Sequence, residues 1–544
     1  MASGRLQIVR SLIPLLLLCI VILSPIWSVE RFIVQDASGH VNTSFVMSEL
    51  LKGNTFFAEF YQFNSIFVPN SSGHWLMVLL LQIFSPFVVT KIMMSLTFIA
   101  LPVSAVWLRR QVVGDNGSVT TFLIGCAVAF NWFWLLGTFN FLLGLAVCVF
   151  TLGLYWRWRD SMNTARCCLI VLMIAFVYFS HLIGFMILSG SIIFIGLFAK
   201  KHARPKRVIW ILPFILVTVV LLVLYKISIS GGGGEDFYPV WRSIDDPNSV
   251  RSWINQLIAV DPFVLISRRT LPFTDMDSTI LAVFSPFLWV CSAVVLFSLR
   301  TLYVGRYRQI FSSERLAFLL LSFGLMTLAL FGPDDFNLTN GGLLRQRLFL
   351  ASLLFMIPLF DLKKLGVSEF MAHCCLIFVL IFQTVAMWEF ALRTNEETRD
   401  FVEAASTILD EQKVASIVIV KDKVRFHAQP TTQMLNYLGN NRNLIVVDNY
   451  EMGHNLFPVI TRDDEMRKFI LGFTNSNILY EKDPREDFAG DLKDLNFYLS
   501  TNSGRVEVML LYGRSEAVEG VLAKSFDSQP FYTTDNVRLF QRRK

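Results

Sequence analysis

Residues 12–40 read LIPLLLLCIVILSPIWSVERFIVQDASGH. The first half carries no charge at all. The second half places Asp36 and His40 four residues apart, just past the apolar run. A continuous apolar run of roughly 18 residues matches the hydrocarbon thickness of a bilayer. In hydrocarbon a backbone must satisfy its own hydrogen bonds, so the run reads as a membrane helix. The basic residues before it, Arg5 and Arg10, imitate a signal peptide. The run is longer than the usual signal core, however, and no A-x-A site follows, so it reads as an uncleaved first helix. Asp36 and His40 then stand where the membrane ends, which is an unusual place for two titratable groups.

The whole chain repeats this chemistry. Of its 544 residues, 54% are hydrophobic and only 17% charged, a balance that argues against an ordinary soluble protein. Further apolar runs fall at 89–108, 119–136, 139–156, 167–182, 184–199, 208–226, 279–299, 315–331, 346–361 and 370–390. With 11–28 they predict about eleven transmembrane helices. The stretch WLMVLLLQIF at 75–84 is too short to cross, and is expected to lie along the interface or pack on the bundle. Lys and Arg test the count. From a cytoplasmic N-terminus, Arg109 and Arg110, Arg157, Arg159 and Arg166, the cluster Lys200–Arg207, and Lys363 and Lys364 all fall on the inner side. The turns near 137 and 183 carry none, which is the positive-inside pattern. The formal charge of +6 is explained by this orientation, and no nucleic-acid partner is expected. The eight cysteines lie in or at the ends of apolar runs, with neither disulfide nor metal-ligand spacing.

The expected fold is therefore a polytopic α-helical membrane protein. Residues 1–390 form the bundle, with large outer loops at 29–88, 227–278 and 332–345. Residues 391–544 form a separate outer domain. Its apolar runs are short (SIVIV at 416–420, NLIVVD at 443–448, VEVMLLY at 506–512, VRLF at 537–540) and alternate with polar helical stretches. That alternation predicts a small C-terminal α/β domain. It contains no phosphate-binding loop, no dinucleotide fingerprint and no Cys/His metal spacing.

Most candidate chemistry maps to the outer side: Asp36, His40, Glu59, His74, His181, Arg345 and Arg347 among others. Positions 36 and 40 share a face if HVNTSFVMSELLKG is a helix ending at Gly53. Asp36 or Ser38 could simply cap that helix. Alternatively, Asp36 is a partly desolvated carboxylate that takes a proton from a hydroxyl, with His40 as its partner. His74 follows the turn PNSSG and opens the short helix, where capping would also explain it. His181 ends a span. Arg345 and Arg347 put positive charge at an outer helix mouth, against the orientation bias. Their planar forks suit a phosphate, or an ion pair with Asp334 or Asp335.

These stretches together resemble a known architecture. DASGH at 36–40, PNSSGHWLMVLLLQIF at 69–84 and FNFLLGLAVCVFTLGLYWRWR at 139–159 are similar to the GT-C superfamily of membrane glycosyltransferases. So are FSHLIGFMIL at 179–188, GGLLRQRLFLASLLFMIPL at 341–359, and the tail segments DNYEMGHNLFPV and VRLFQRRK. The superfamily includes protein O-mannosyltransferases and lipid A aminoarabinose transferases. The resemblance implies transfer of a sugar from a polyprenyl-phosphate carrier to a glycan, lipid or protein acceptor at the outer face of the inner or plasma membrane. It implies Asp36 as base with His40 beside it. Arg345 and Arg347 would hold the leaving phosphate, with His74, His181 and Glu59 shaping the pocket. Some relatives carry two adjacent acids in the first loop. Here Asp36 is followed by Ala37, so no metal ligand is assigned and a divalent cation stays open. Two other classes fit a polytopic chain: a transporter or lipid flippase, which should show mid-bilayer charges and inverted repeats, and a non-catalytic envelope assembly protein acting through its tail.

Overall fold

The computed structural model describes residues 2–114, 118–197, 204–230, 239–241, 262–263, 315–336, 342–359, 368–420, 428–440, 442–474, 476–480 and 488–543. The first helix runs Ala2–Ser28, and the predicted helix after DASGH runs Ala37–Leu51. Gly53, just beyond it, adopts φ +76°. Pro86–Val113 and Phe139–Trp158 pack against each other through the centre of the bundle, with Thr164–Ser180, Leu182–Leu197 and Arg204–Ser230 beside them. Leu316–Phe331 packs on Leu344–Met356.

Every expected span falls on a helix except 279–299, which lies outside the described residues, as does most of the loop 227–278. Among the described residues, four helices are long and apolar enough to cross a membrane: Pro86–Val113, Phe139–Trp158, Ile209–Ser228 and Glu369–Ser406. Apart from the first helix, which runs 27 residues, the other apolar helices are shorter among the described residues. Leu182–Leu197 has 16 residues, or about 24 Å against a hydrocarbon core of about 30 Å. The span expected at 119–136 is broken near its end by Asn131, and this break matters for the site. Outward-facing Leu16, Ile20, Leu216, Ile227, Phe378 and Ile381 are all more than half exposed, an apolar coat suited to lipid. The helix Ser72–Leu81 has ten residues, too few to span. It buries His74, Met77 and Val78 and turns Trp75 and Leu79 outward.

The last membrane helix does not stop where the apolar sequence stops. Glu369–Ser406 is one helix of 38 residues, so the boundary drawn at 390/391 falls inside a continuous rod. Beyond it lies a six-stranded mixed sheet. Gln412–Val420 pairs in parallel with Val508–Tyr512 on one side. On the other side it pairs with Leu444–Val446 along its first half and Ile478–Tyr480 along its second. Ser416 sits at the gap between those two half-strands. Its N–H and hydroxyl both go to Asp448, and its carbonyl accepts from Asn477 at 3.1 Å. Asp448 thus completes the sheet's hydrogen bonding, as a buried backbone requires, and burial pushes its carboxyl up to about 7. Val537–Gln541 and Tyr532–Thr533 extend the sheet antiparallel.

The tail is stitched to the segment that follows the first helix and to the start of Pro86–Val113. Tyr61–Phe63 forms an antiparallel ribbon with Val459–Thr461. Asn449 donates to Asn42 Oδ1 (3.1 Å) and Thr43 Oγ1 (3.3 Å), and Tyr437 meets Thr90 at 2.9 Å. The helix Ala37–Leu51 keeps no wet face over most of its length. Ala37 through Ser48 are all buried, because the tail covers the side the bundle leaves open.

Candidate active site

The site begins at the broken helix. Asn131 accepts from Trp134 N at 3.1 Å and caps a new short helix, Trp132–Leu136. Gly137 ends it at φ +85°, where a Cβ would lie 2.7 Å from Val34 and 2.9 Å from Ala37. Only glycine offers both that backbone angle and that closeness. The turn brings the Leu136 carbonyl to the Asp36 N–H, 2.7 Å away. Asp36 therefore occupies the N-cap position of Ala37–Leu51, yet its side chain makes no capping bond. The half-buried carboxylate is free for other work. Burial, helped by Glu451, raises its pKa to about 6, against the opposing pull of His40 and Arg347.

Beneath Asp36 lies a wholly buried trio. His40 on Ala37–Leu51 and His74 on Ser72–Leu81 converge on Glu451 of the tail, the two rings 5.2 Å apart edge to face. His40 Nδ1 meets Glu451 Oε1, and His74 Nε2 lies 2.9 Å from Oε2. Burial opposes the charge on Glu451, but His40 and His74 hold the carboxyl well below its usual range. Burial likewise opposes charge on His40, and Glu451 and then Asp36 more than offset it, so its pKa is raised. His74 Nδ1 is 2.7 Å from the Asn70 carbonyl, which can only accept, so Nδ1 carries the hydrogen. Asn140 braces this turn, donating to the same carbonyl at 3.2 Å and accepting from Gly73 N at 2.9 Å.

With Nδ1 so committed, His74 Nε2 points a lone pair at a carboxylate oxygen unless a proton or a metal ion lies between them. Two imidazoles and one carboxylate, with donor atoms within 4.8 Å of one another, are a donor set suited to zinc. A backbone carbonyl orienting the far ring nitrogen is the usual support for such a ligand. His40 Nδ1 and Glu451 Oε1, moreover, face each other without a well-formed hydrogen bond. Adding zinc to chelator-treated protein is expected to raise the melting temperature by a few degrees, because an ion that binds only the folded form stabilises it. His74→Ala is expected to remove that rise. No shift with zinc would assign the trio to a proton-bridged ion pair alone.

The more open rim holds Arg347, His181 and Tyr450. The Arg347 guanidinium lies over Phe141 (5.2 Å) and Phe133 (5.4 Å), and its Nε has no hydrogen-bond partner. His181 packs edge-on against the same Phe141 at 5.2 Å, with Nδ1 accepting from Ile183 N at 3.2 Å. Two expected pocket residues stand elsewhere. Arg345 spends its fork on a helix end, donating to Ala329 O (2.7 Å), Leu330 O (2.7 Å) and Asp334 Oδ1 (3.2 Å). These carbonyls carry the negative end of Leu316–Phe331, so the arginine is a helix cap. Glu59 is exposed on Thr55–Phe60 and no contact ties it to the cluster. Conversely, Glu451 and Tyr450 were not singled out from the sequence. The only signal was DNYEMGH itself, an acid and an aromatic inside a polar turn.

No known protein-family description matches this sequence, and no curated relative matches it. Among solved structures the chain is similar to ArnT from Cupriavidus metallidurans in its apo state. That likeness has a TM-score of 0.51 at 9% identity and covers 99% of this chain and 98% of ArnT. It is also similar to the mycobacterial arabinofuranosyltransferase AftD, with a TM-score of 0.39 at 10% identity over 97% of this chain and 40% of AftD, a level that carries no argument. The likeness to ArnT, spanning nearly all of both chains, shows a shared fold.

Proposed function

We propose that this protein is an integral-membrane glycosyltransferase that moves a sugar from a polyprenyl-phosphate donor to a hydroxyl-bearing acceptor on the outer side of the membrane. Its N-terminus would be cytoplasmic and residues 391–544 extracytoplasmic. The observation that carries the reading is Asp36: a half-buried carboxylate past the end of the first apolar helix, free of capping duty and in the field of Arg347. In the reaction, the acceptor O–H gives its proton to Asp36 as its oxygen attacks the anomeric carbon. The bond from that carbon to the phosphate oxygen breaks, and the electron pair leaves with the phosphate. A single displacement of this kind inverts the anomeric centre. Of the two arginines expected there, Arg347 receives the phosphate, because Arg345 is committed to its helix. His181 borders the same pocket through Phe141.

The test is transfer of labelled sugar by purified protein from a polyprenyl-phosphate donor, with a nucleotide sugar as control. Product from the lipid donor alone is expected. Arg347→Ala should lower kcat/KM by on the order of 100-fold, the usual effect of removing one charge-stabilising donor. Arg345→Ala should instead lower the melting temperature. Substrate accumulation in sealed vesicles without covalent product would replace this reading with transport.

A further inference from the structure

Tyr450 enters the site from the tail. It opens the 3-10 helix Tyr450–Gly453, whose cap, Asn449, is pinned to the helix that begins beside Asp36. A Cβ at Gly39 would lie 3.8 Å from Tyr450 Cε1, so the ring rests on the first turn of Ala37–Leu51. Phe457 holds the ring edge-on at 5.7 Å, and His454 at 6.1 Å. Phe457 also touches the rings of His40 (6.4 Å) and His74 (6.0 Å), so the phenol is anchored to the buried trio. The ring is half-buried, and its hydroxyl makes no hydrogen bond among the described residues. A phenol keeps its hydrogen at neutral pH, so the hydroxyl acts as a donor.

We infer that Tyr450 is a catalytic residue supplied by the C-terminal domain, its O–H donating to the phosphate oxygen that leaves the sugar, opposite Arg347. This rests on the lipid-phosphate reading above. A neutral donor suits the position, since a second cation beside Arg347 would depress the basicity of Asp36. The tyrosine keeps its proton throughout. The acceptor's proton goes to Asp36, and the phosphate departs carrying the electron pair, stabilised by one guanidinium and one phenol. The tail is then part of the active site, and a bundle without it lacks one of the two groups that receive the leaving phosphate.

Tyr450→Phe keeps the ring packing and removes only the hydroxyl. It is expected to lower kcat by on the order of 100-fold, with the melting temperature unchanged. It should also weaken binding of a polyprenyl phosphate about tenfold while leaving binding of the matching polyprenyl alcohol unaltered. A Phe variant with full activity and unaltered phosphate binding would make Tyr450 a packing residue and overturn the inference. Equal weakening toward phosphate and alcohol would overturn it too. The wild-type protein separates the two levels: if it neither binds the lipid phosphate nor transfers from it, the underlying function fails; if it does both and Tyr450→Phe matches it, only the role of Tyr450 fails.

Discussion

Asp36→Asn is expected to abolish sugar transfer, with kcat/KM falling by about 10³-fold or more, while the protein stays folded with its tail docked. A positioned general base contributes on the order of 10²–10⁴ in rate, and the amide cannot take a proton. The wild-type pH profile should carry the same signature. Asp36 has its pKa raised to about 6 by burial foremost. Activity should therefore fall as pH drops through about 6, and Asp36→Asn should lack that limb. The stability effect has the opposite sign. A carboxyl whose folded pKa lies above its unfolded value costs stability as pH rises through that window. At neutral pH the asparagine variant should thus melt no lower than wild type, and the difference should vanish near pH 4. Transfer by Asp36→Asn within tenfold of wild type would remove Asp36 as the base. A large drop in melting temperature would mean the carboxylate is structural.

The second large effect belongs to Glu451. It is the one carboxylate between two buried imidazoles from another part of the chain. Removing one partner of a buried ionic cluster costs about 3–5 kcal/mol, because the remaining groups lose their compensation. Glu451→Ala should release the segment around residues 449–462 from Ala37–Leu51, and proteolysis or hydrogen exchange there should accelerate by at least 100-fold. Transfer should be lost as well, because Tyr450 moves with its neighbour. Glu451→Gln keeps the volume and one accepting oxygen but puts an NH2 donor where the other histidine needs an acceptor, so it should be nearly as damaging. Unchanged protection of 449–462 in both variants would show that the ribbon Tyr61–Phe63 with Val459–Thr461 holds the tail without the trio.

Much of this was legible from the chain. The helix after DASGH, its end near Gly53, the short helix after PNSSG and four strands of the tail follow from local chemistry: apolar period, turn residues and β-branched runs. So did the pairing of Arg345 with Asp334, one of the two readings left open. The break within 119–136 did not follow. Hydropathy reads apolar residues alike whether they face lipid or pack inside, and it passes over a break such as the one Asn131 makes.

The sequence by itself determined which residues seek hydrocarbon, where water begins, and that an acid and a histidine stand one helical turn apart at that border, because these depend on composition and on 3.6-residue periodicity. Only the tertiary structure decided that Glu451 and Tyr450, more than 400 residues from Asp36, lie beside His40, His74 and the helix that begins at Asp36, and that Arg345 and Glu59 stand elsewhere. Such pairings are made by distance in space. A carboxylate in a polar turn looks the same in sequence whether it faces solvent or lies buried between two imidazoles.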